Sequence, residues 1–114
     1  MEDCIFCRIA KHEIKSEIVL ENDLVTAFKD LNPVAPTHFL IIPNEHFADV
    51  YELSKSEKAA EIMSAIISAA AELKEKYNLP GYNLINNCGK AAGQSVFHLH
   101  FHMLSGFDIG KIIA

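Results

Sequence analysis

His98-Leu99-His100-Phe101-His102-Met103-Leu104 alternates imidazole and apolar side chains without a break. On an extended strand successive side chains point to opposite faces, so the three histidines share one face while Leu99, Phe101 and Met103 share the other, which then faces a core. Neighbouring histidines would stand ~7 Å apart along such a strand and the outer pair ~13 Å apart. Three alternating histidines have little packing rationale. They leave two chemistries open: a metal site in which strand histidines share an ion, or a row in which one imidazole acts as nucleophile or as acid and base. The span of the outer pair strains convergence of all three on one ion, so at most one or two should bind metal.

Immediately upstream, Gly89-Lys90-Ala91-Ala92-Gly93-Gln94-Ser95 combines two glycines, which permit close backbone approach, with two polar side chains. This reads as an anion cradle beside the histidine row. It is neither a Walker A loop nor a GxGxxG turn, since neither pattern occurs. A phosphate held there would lie next to an imidazole, and an imidazole whose other nitrogen is fixed by an acceptor can attack phosphorus. Phosphoryl or nucleotidyl chemistry follows as the expectation.

Working outward, Tyr82 to Asn86 reads as a fourth strand and Val96 to Leu104 as a fifth. Glu17 to Glu21 and Val25 to Lys29 flank the turn Glu21-Asn22-Asp23 as a hairpin. Thr37 to Ile42, a nearly continuous apolar run closed by Pro43, reads as a central strand. Phe47 to Leu53 allows one or two helical turns. A long helix then begins with Ser56 as N-cap and Glu57 in its first turn, and runs to about Tyr77. Along it Ala59, Ile62, Met63, Ile66, Ala69, Ala70, Leu73 and Tyr77 recur at three and four residue spacings, giving one broad buried face. The fold class is therefore α+β: a five-stranded antiparallel sheet with one long helix and a short one. The helix face is wider than one small sheet needs, which fits either a homodimer or internal core.

The chain has 114 residues, 50% of them apolar and 22% charged, so one domain spanning 1–114 is expected. Ten Lys and Arg against fifteen Asp and Glu give a formal charge of −5, which argues against a nucleic acid polymer as partner but not against a mononucleotide. Neither a signal peptide nor a membrane span is visible, so a cytoplasmic protein without membrane contact is expected. In a reducing compartment the odd number of cysteines favours metal binding for the close pair Cys4-Ile5-Phe6-Cys7. A redox pair and two unlinked surface thiols remain alternatives. Cys88 has no evident partner, His12 reads as a solvated residue, and His38 as a satisfied strand histidine or one that supports the site indirectly.

The run His98 to Leu104 resembles the histidine triad (HIT) family, whose signature is His-φ-His-φ-His-φ-φ with φ apolar, and matches it at every position. Asp30-Leu31-Asn32-Pro33-Val34-Ala35-Pro36-Thr37-His38 and Gly93-Gln94-Ser95-Val96 look like the Hint branch, which binds nucleotides and hydrolyses phosphoramidates, so the resemblance spans nearly the whole chain. It implies a hydrolase in which His100 attacks the α-phosphorus of a purine nucleoside 5'-phosphoramidate or acyl-adenylate, giving a nucleotidyl-histidine that water then hydrolyses. By the same resemblance His102 and Ser95 contact the phosphate and leaving group. Asn87, Gly93, Gln94 and Val96 complete the anion site, Asp30 takes the ribose hydroxyls, and Ile5, Phe6, Ile9, Phe28 and Leu31 line a purine pocket.

The resemblance to bacterial members also implies a structural zinc ion on Cys4, Cys7, His46 and His98, one per subunit, and a homodimer formed through the long helix and a strand. Assigning His98 to metal leaves His100 and His102 free for chemistry. A dinucleoside polyphosphate hydrolase, a purine nucleotide-binding signalling or scaffold module, and a metallohydrolase with zinc on the triad itself are the competing readings. The uridylyltransferase branch fits less well, because its third triad position is Gln where this chain has His102. The C-terminal segment from Gly106 to Ala114 is short and lacks Trp, a departure from eukaryotic relatives that bears on the leaving group.

Overall fold

The structure, a computed structural model, describes residues 3–106; the expectation about the C-terminal segment falls on 107–114, outside the described residues. In chain order the elements are α1 (Ile5–Ala10), β1 (Ile18–Glu21), β2 (Val25–Lys29), β3 (Thr37–Pro43), α2 (Val50–Ser54), α3 (Ala59–Lys76), β4 (Asn83–Ile85) and β5 (Phe101–Ser105), with a single 3-10 turn at Lys90–Ala92 before β5. The strands form one antiparallel sheet in the order β1-β2-β3-β5-β4. The apolar run at β3 is its central strand, as its composition predicts: six of its seven residues are buried, because helices cover both faces.

Those two faces have different tenants. Val25, Ala27, Phe39, Ile41, Leu99 and Met103 point to one side and pack with Ile62, Ile66, Ala69, Ala70 and Leu73 of α3. Phe28, Leu40 and Ile42 point to the other and pack with Phe6 and Ile9 of α1. The alternation along β2 and β3 follows from the period of two. Leu73, Ile66 and Ala70 are wholly buried, and each of the larger two contributes roughly 1.5–3 kcal/mol through removal of its side chain from water. The helix ends by a Schellman motif: Asn78 adopts φ +52°, Leu79 N–H donates to Lys74 O and Asn78 N–H to Glu75 O.

Several element boundaries shift from the sequence reading, and two of the shifts have a visible cause. Helix α3 starts at Ala59 rather than just after Ser56. Ser56 caps the preceding turn instead, its Oγ accepting from Lys58 N–H at 3.0 Å, because residues 55–58 form the turn that joins α2 to α3. The larger correction is at the fifth strand, which begins at Phe101 and not at Val96. His98 and His100 therefore lie on irregular chain leading into the strand. Leu99 N–H donates to Phe47 O at 2.7 Å rather than to a strand neighbour, and the His98 ring is anchored on Pro43 O. These long-range bonds bend the backbone off the ladder. The sidedness survives: Leu99 and Met103 still enter the α3 core while the histidines turn to the α1 face.

Candidate active site and metal centre

Cys4 is the N-cap of α1, its Sγ accepting from Cys7 N–H at 3.3 Å, so the helix start itself brings the two sulfurs together. His98 arrives from 91 residues beyond Cys7, and its Nε2–H donates to Pro43 O at 2.8 Å. That bond places the hydrogen on Nε2 and leaves the Nδ1 lone pair facing Cys4 Sγ at 3.2 Å, Cys7 Sγ at 3.4 Å and His46 Nδ1 at 3.2 Å. Cys7 Sγ also lies 3.2 Å from His46 Nδ1. The four ligand atoms of Cys4, Cys7, His46 and His98 all fall within 4.8 Å of one another, close enough to hold a metal ion. Burial and the adjacent Cys4 push the Cys7 thiol up to about 11, and burial lowers His98 to about 4, helped by the nearby His46 and His100. The first shift keeps the thiol protonated unless a cation shares the site; the second keeps the imidazole neutral, as a ligand must be.

His100 is buried, and its Nδ1–H donates to the main-chain oxygen of His98 at 2.8 Å. Its Nε2 is consequently the nitrogen that carries the lone pair. Phe6 meets the His100 ring edge-on at 5.2 Å between centroids, and His102 lies 5.1 Å away on the same face. Phe6, Ile9 and Phe28 form one apolar cluster beside these rings, whereas Ile5 and Leu31 are 46% and 90% exposed and do not join it.

His38 holds a larger place than its sequence context conveyed. Val34 N–H donates to His38 Nδ1 at 3.2 Å, which puts the hydrogen on Nε2, and that Nε2–H reaches His102 Nδ1 at 2.9 Å. His102 accepts at Nδ1 and so carries its hydrogen on Nε2. Asp30 Oδ2 lies 3.4 Å from His38 Nε2, and Asp30 Oδ1 accepts from Asn32 N–H at 2.8 Å. Burial pulls His38 down and His102 down to about 4, with the His100 and His38 charges adding to the second shift. Both rings are neutral at pH 7. Only the β3–β5 register, with Leu40 opposite His102, brings these two residues together, and no local pattern announces it.

The loop before the triad is built on its glycines. Gly89 sits at φ +93°, ψ 156°, a region open only to glycine, and Gly93 is left-handed. Gln94 locks the loop: its Oε1 accepts from Gly89 N–H at 2.7 Å and its Nε2 donates to Ala48 O at 2.7 Å and Val96 O at 2.9 Å. Both donor directions of that amide are engaged, so Gln94 shapes the loop through its side chain rather than offering that side chain to an anion. Asn87 Nδ2 donates to Ala92 O at 2.8 Å across the same loop. Ser95 and Gly93 are exposed and Val96 half-buried.

The three triad histidines form no common metal cluster among the described residues. His98 goes to the cysteines, while His102 joins Asp30 and His38, whose ligand atoms also lie within 4.8 Å of one another. In that second group the His38 Nε2–H donates to His102 Nδ1 at 2.9 Å, a hydrogen bond that an ion would have to replace. The domain thus presents a thiol–imidazole cluster and a hydrogen-bonded imidazole row side by side, on the sheet face opposite its long helix.

The chain belongs to the HIT family: residues 11–109 match the HIT domain. It is 42% identical over 115 aligned residues to the purine nucleoside phosphoramidase of Escherichia coli (strain K12), covering 99% of this chain and 95% of that protein. Among solved structures, a HIT family hydrolase from Clostridium thermocellum superposes with a TM-score of 0.91 at 49% identity, over 100% of this chain and 99% of that one. A histidine triad protein from Clostridium difficile gives 0.88 at 42% identity, over 95% and 94%.

Proposed function

We propose that this HIT-family hydrolase cleaves purine nucleoside 5'-phosphoramidates or acyl-adenylates through a nucleotidyl group carried on His100. The observation that supports this most directly is the His100 Nδ1–H bond to His98 O, which leaves the lone pair on Nε2. In the first step Nε2 attacks the α-phosphorus, an N–P bond forms, and the bond from phosphorus to the leaving amine or acyl oxygen breaks. A leaving amine takes up a proton, for which His102 Nε2–H and the Ser95 hydroxyl are the adjacent donors. Water then attacks phosphorus, giving one proton back to the group that protonated the amine, the N–P bond breaks, and the nucleoside monophosphate leaves with the imidazole restored. The Val96 N–H and the Asn87 side chain would hold the phosphate oxygens over the close backbone turn at Gly93, whose own N–H is engaged by Lys90 O at 3.0 Å; Asp30 would take the ribose hydroxyls, and the cluster of Phe6, Ile9 and Phe28 the base.

Cys4, Cys7, His46 and His98 would hold zinc. Zinc–nitrogen and zinc–sulfur bonds of about 2.0–2.3 Å in a tetrahedron set ligand atoms roughly 3.3–3.8 Å apart, and the nitrogen–sulfur and nitrogen–nitrogen separations given above lie at 3.2–3.4 Å. Bound there, the ion supplies a closed four-ligand cross-link, not an open position for substrate. A reducing cytoplasm keeps both thiols available for it, and no described helix is long and apolar enough to cross a membrane. The 114 residues act as one domain and pair as a homodimer through α3 and a strand.

The test is intact-protein mass spectrometry after a brief, acid-quenched incubation with a nucleoside phosphoramidate, under conditions that preserve phosphoramidates. Wild type should carry a nucleoside monophosphate adduct that His100→Ala lacks. Undiminished turnover by His100→Ala would sink the reading.

A further inference from the structure

Asn86 lies one residue past β4, where the ladder with β5 stops. The two strands pair from Asn83 opposite Leu104 to Ile85 opposite His102, and a regular ladder would continue to residue 87 opposite His100. It does not continue, because β4 ends at Ile85 and β5 begins only at Phe101. A buried carbonyl that loses its ladder partner needs another donor. The Asn86 side chain supplies it: Nδ2 donates to the main-chain oxygen of His100 at 2.9 Å. Asn87, the next residue, turns the opposite way and ties the glycine loop through Ala92 O.

His100 is thus held at two separate atoms. The bond from its Nδ1–H to His98 O selects the tautomer. The bond from Asn86 fixes the plane of the peptide that follows His100, and with it the Cα–Cβ direction along which the ring is aimed. Without the second hold the irregular chain ahead of β5 can rotate, and the Nδ1–H···O contact lengthens as it does. We infer that Asn86 is a positioning residue for His100, acting through the main-chain oxygen of that residue to keep Nε2 aimed and the ring in its Nδ1–H tautomer. The inference rests on His100 being the nucleophile.

Asn86→Leu removes the donor at similar volume. Expected are a kcat about tenfold lower on a nucleoside phosphoramidate, as for a displaced reacting atom, and a KM within about twofold of wild type, since the phosphate and base contacts are untouched. The ring nitrogens of His100 in ¹⁵N-histidine-labelled protein should read as the Nδ1–H tautomer in wild type and as a mixture in the variant. Asn86→Asp, which sets an acceptor against the carbonyl without changing shape, should lower kcat at least as far, and it carries the comparison if the leucine variant does not fold. A lower Tm with unchanged kcat and unchanged His100 tautomer would reduce Asn86 to a strand tie and overturn the inference. If wild type turns over no nucleoside phosphoramidate, the nucleophile reading fails by itself. The tautomer comparison then still decides whether Asn86 positions the ring.

Discussion

The main-chain oxygen of His98 accepts from Nδ1–H of His100 at 2.8 Å, while the His98 side chain turns its own Nδ1 to 3.2 Å from Cys4 Sγ. One residue therefore belongs to the thiol–imidazole cluster by its ring and to the imidazole row by its backbone. Phe6, between the two cysteines in sequence, makes a second connection, with its ring 6.0 Å from that of His98 and 5.2 Å from that of His100. Changes at the cluster should consequently be felt at His100.

Loss of the proposed zinc, by chelation or by Cys7→Ser, is expected to lower stability by about 3 kcal/mol or more, roughly 10 °C or more in Tm. It should also lower kcat, because α1 and the His98 backbone lose their shared anchor. Thermal unfolding and steady-state rates on the same samples test this. A metal-free protein with full kcat below its Tm would show the two sites to be independent.

The pair His38 and His102 gives a second expectation. His38→Phe keeps an aromatic ring but removes the Nε2–H that His102 Nδ1 accepts. His102 is then free to adopt the opposite tautomer, with its hydrogen on Nδ1 and no donor at Nε2. A fall of about 10- to 100-fold in kcat is expected, larger for poor amine leaving groups than for acyl leaving groups that need no proton. Equal losses on both substrate types would argue against His102 as donor.

Acidification should destabilise the fold. His102 titrates near 6.5 when unfolded and near 4 when folded, chiefly because it is buried. Between those values the unfolded chain binds a proton that the folded chain refuses, so this contribution is complete above about pH 6.5 and is lost as pH falls toward 4. Denaturant unfolding at pH 7, 6 and 5 should give decreasing stabilities, with a shallower dependence in His102→Gln. Parallel pH curves for the two proteins would assign the loss elsewhere, for example to the metal ligands.

Gln94→Ala leaves Gly89 N–H and the Ala48 and Val96 carbonyls without the side chain that satisfies them. A cost of about 2–3 kcal/mol is expected from unpaired groups at a site only 4% exposed. Nucleotide affinity should fall with it, since the loop that Gln94 shapes would no longer be held. Calorimetric binding of a nucleoside monophosphate, set beside the change in Tm, separates the two effects.

Much of this architecture is written in short-range pattern. The three- and four-residue spacing of Ile62, Ile66, Ala69, Ala70 and Leu73 specifies a helix with one buried face, and the structure buries that face. The run from Thr37 to Pro43 announces a strand covered on both sides. The alternation from His98 to Met103 assigns each side chain to a face even where the backbone is not a strand, because sidedness follows from where apolar groups find a core. Cys4 and Cys7 are legible as a pair because their spacing is one helical turn.

Tertiary structure decided the rest. His98 is pulled off the ladder by Pro43 and the cysteines, His38 meets His102 only through the β3–β5 register, and Asn86 reaches the His100 carbonyl only because β4 stops one residue short. These are hydrogen bonds between residues 14 to 94 positions apart. Periodicity reports which face a side chain takes; it carries no information about which distant donor will meet it there. The sequence by itself therefore determined the elements, their buried faces and the family. The tautomers of His98 and His102, and with them the division of labour between cluster and row, were set by distant partners that only the folded chain brings within 3 Å.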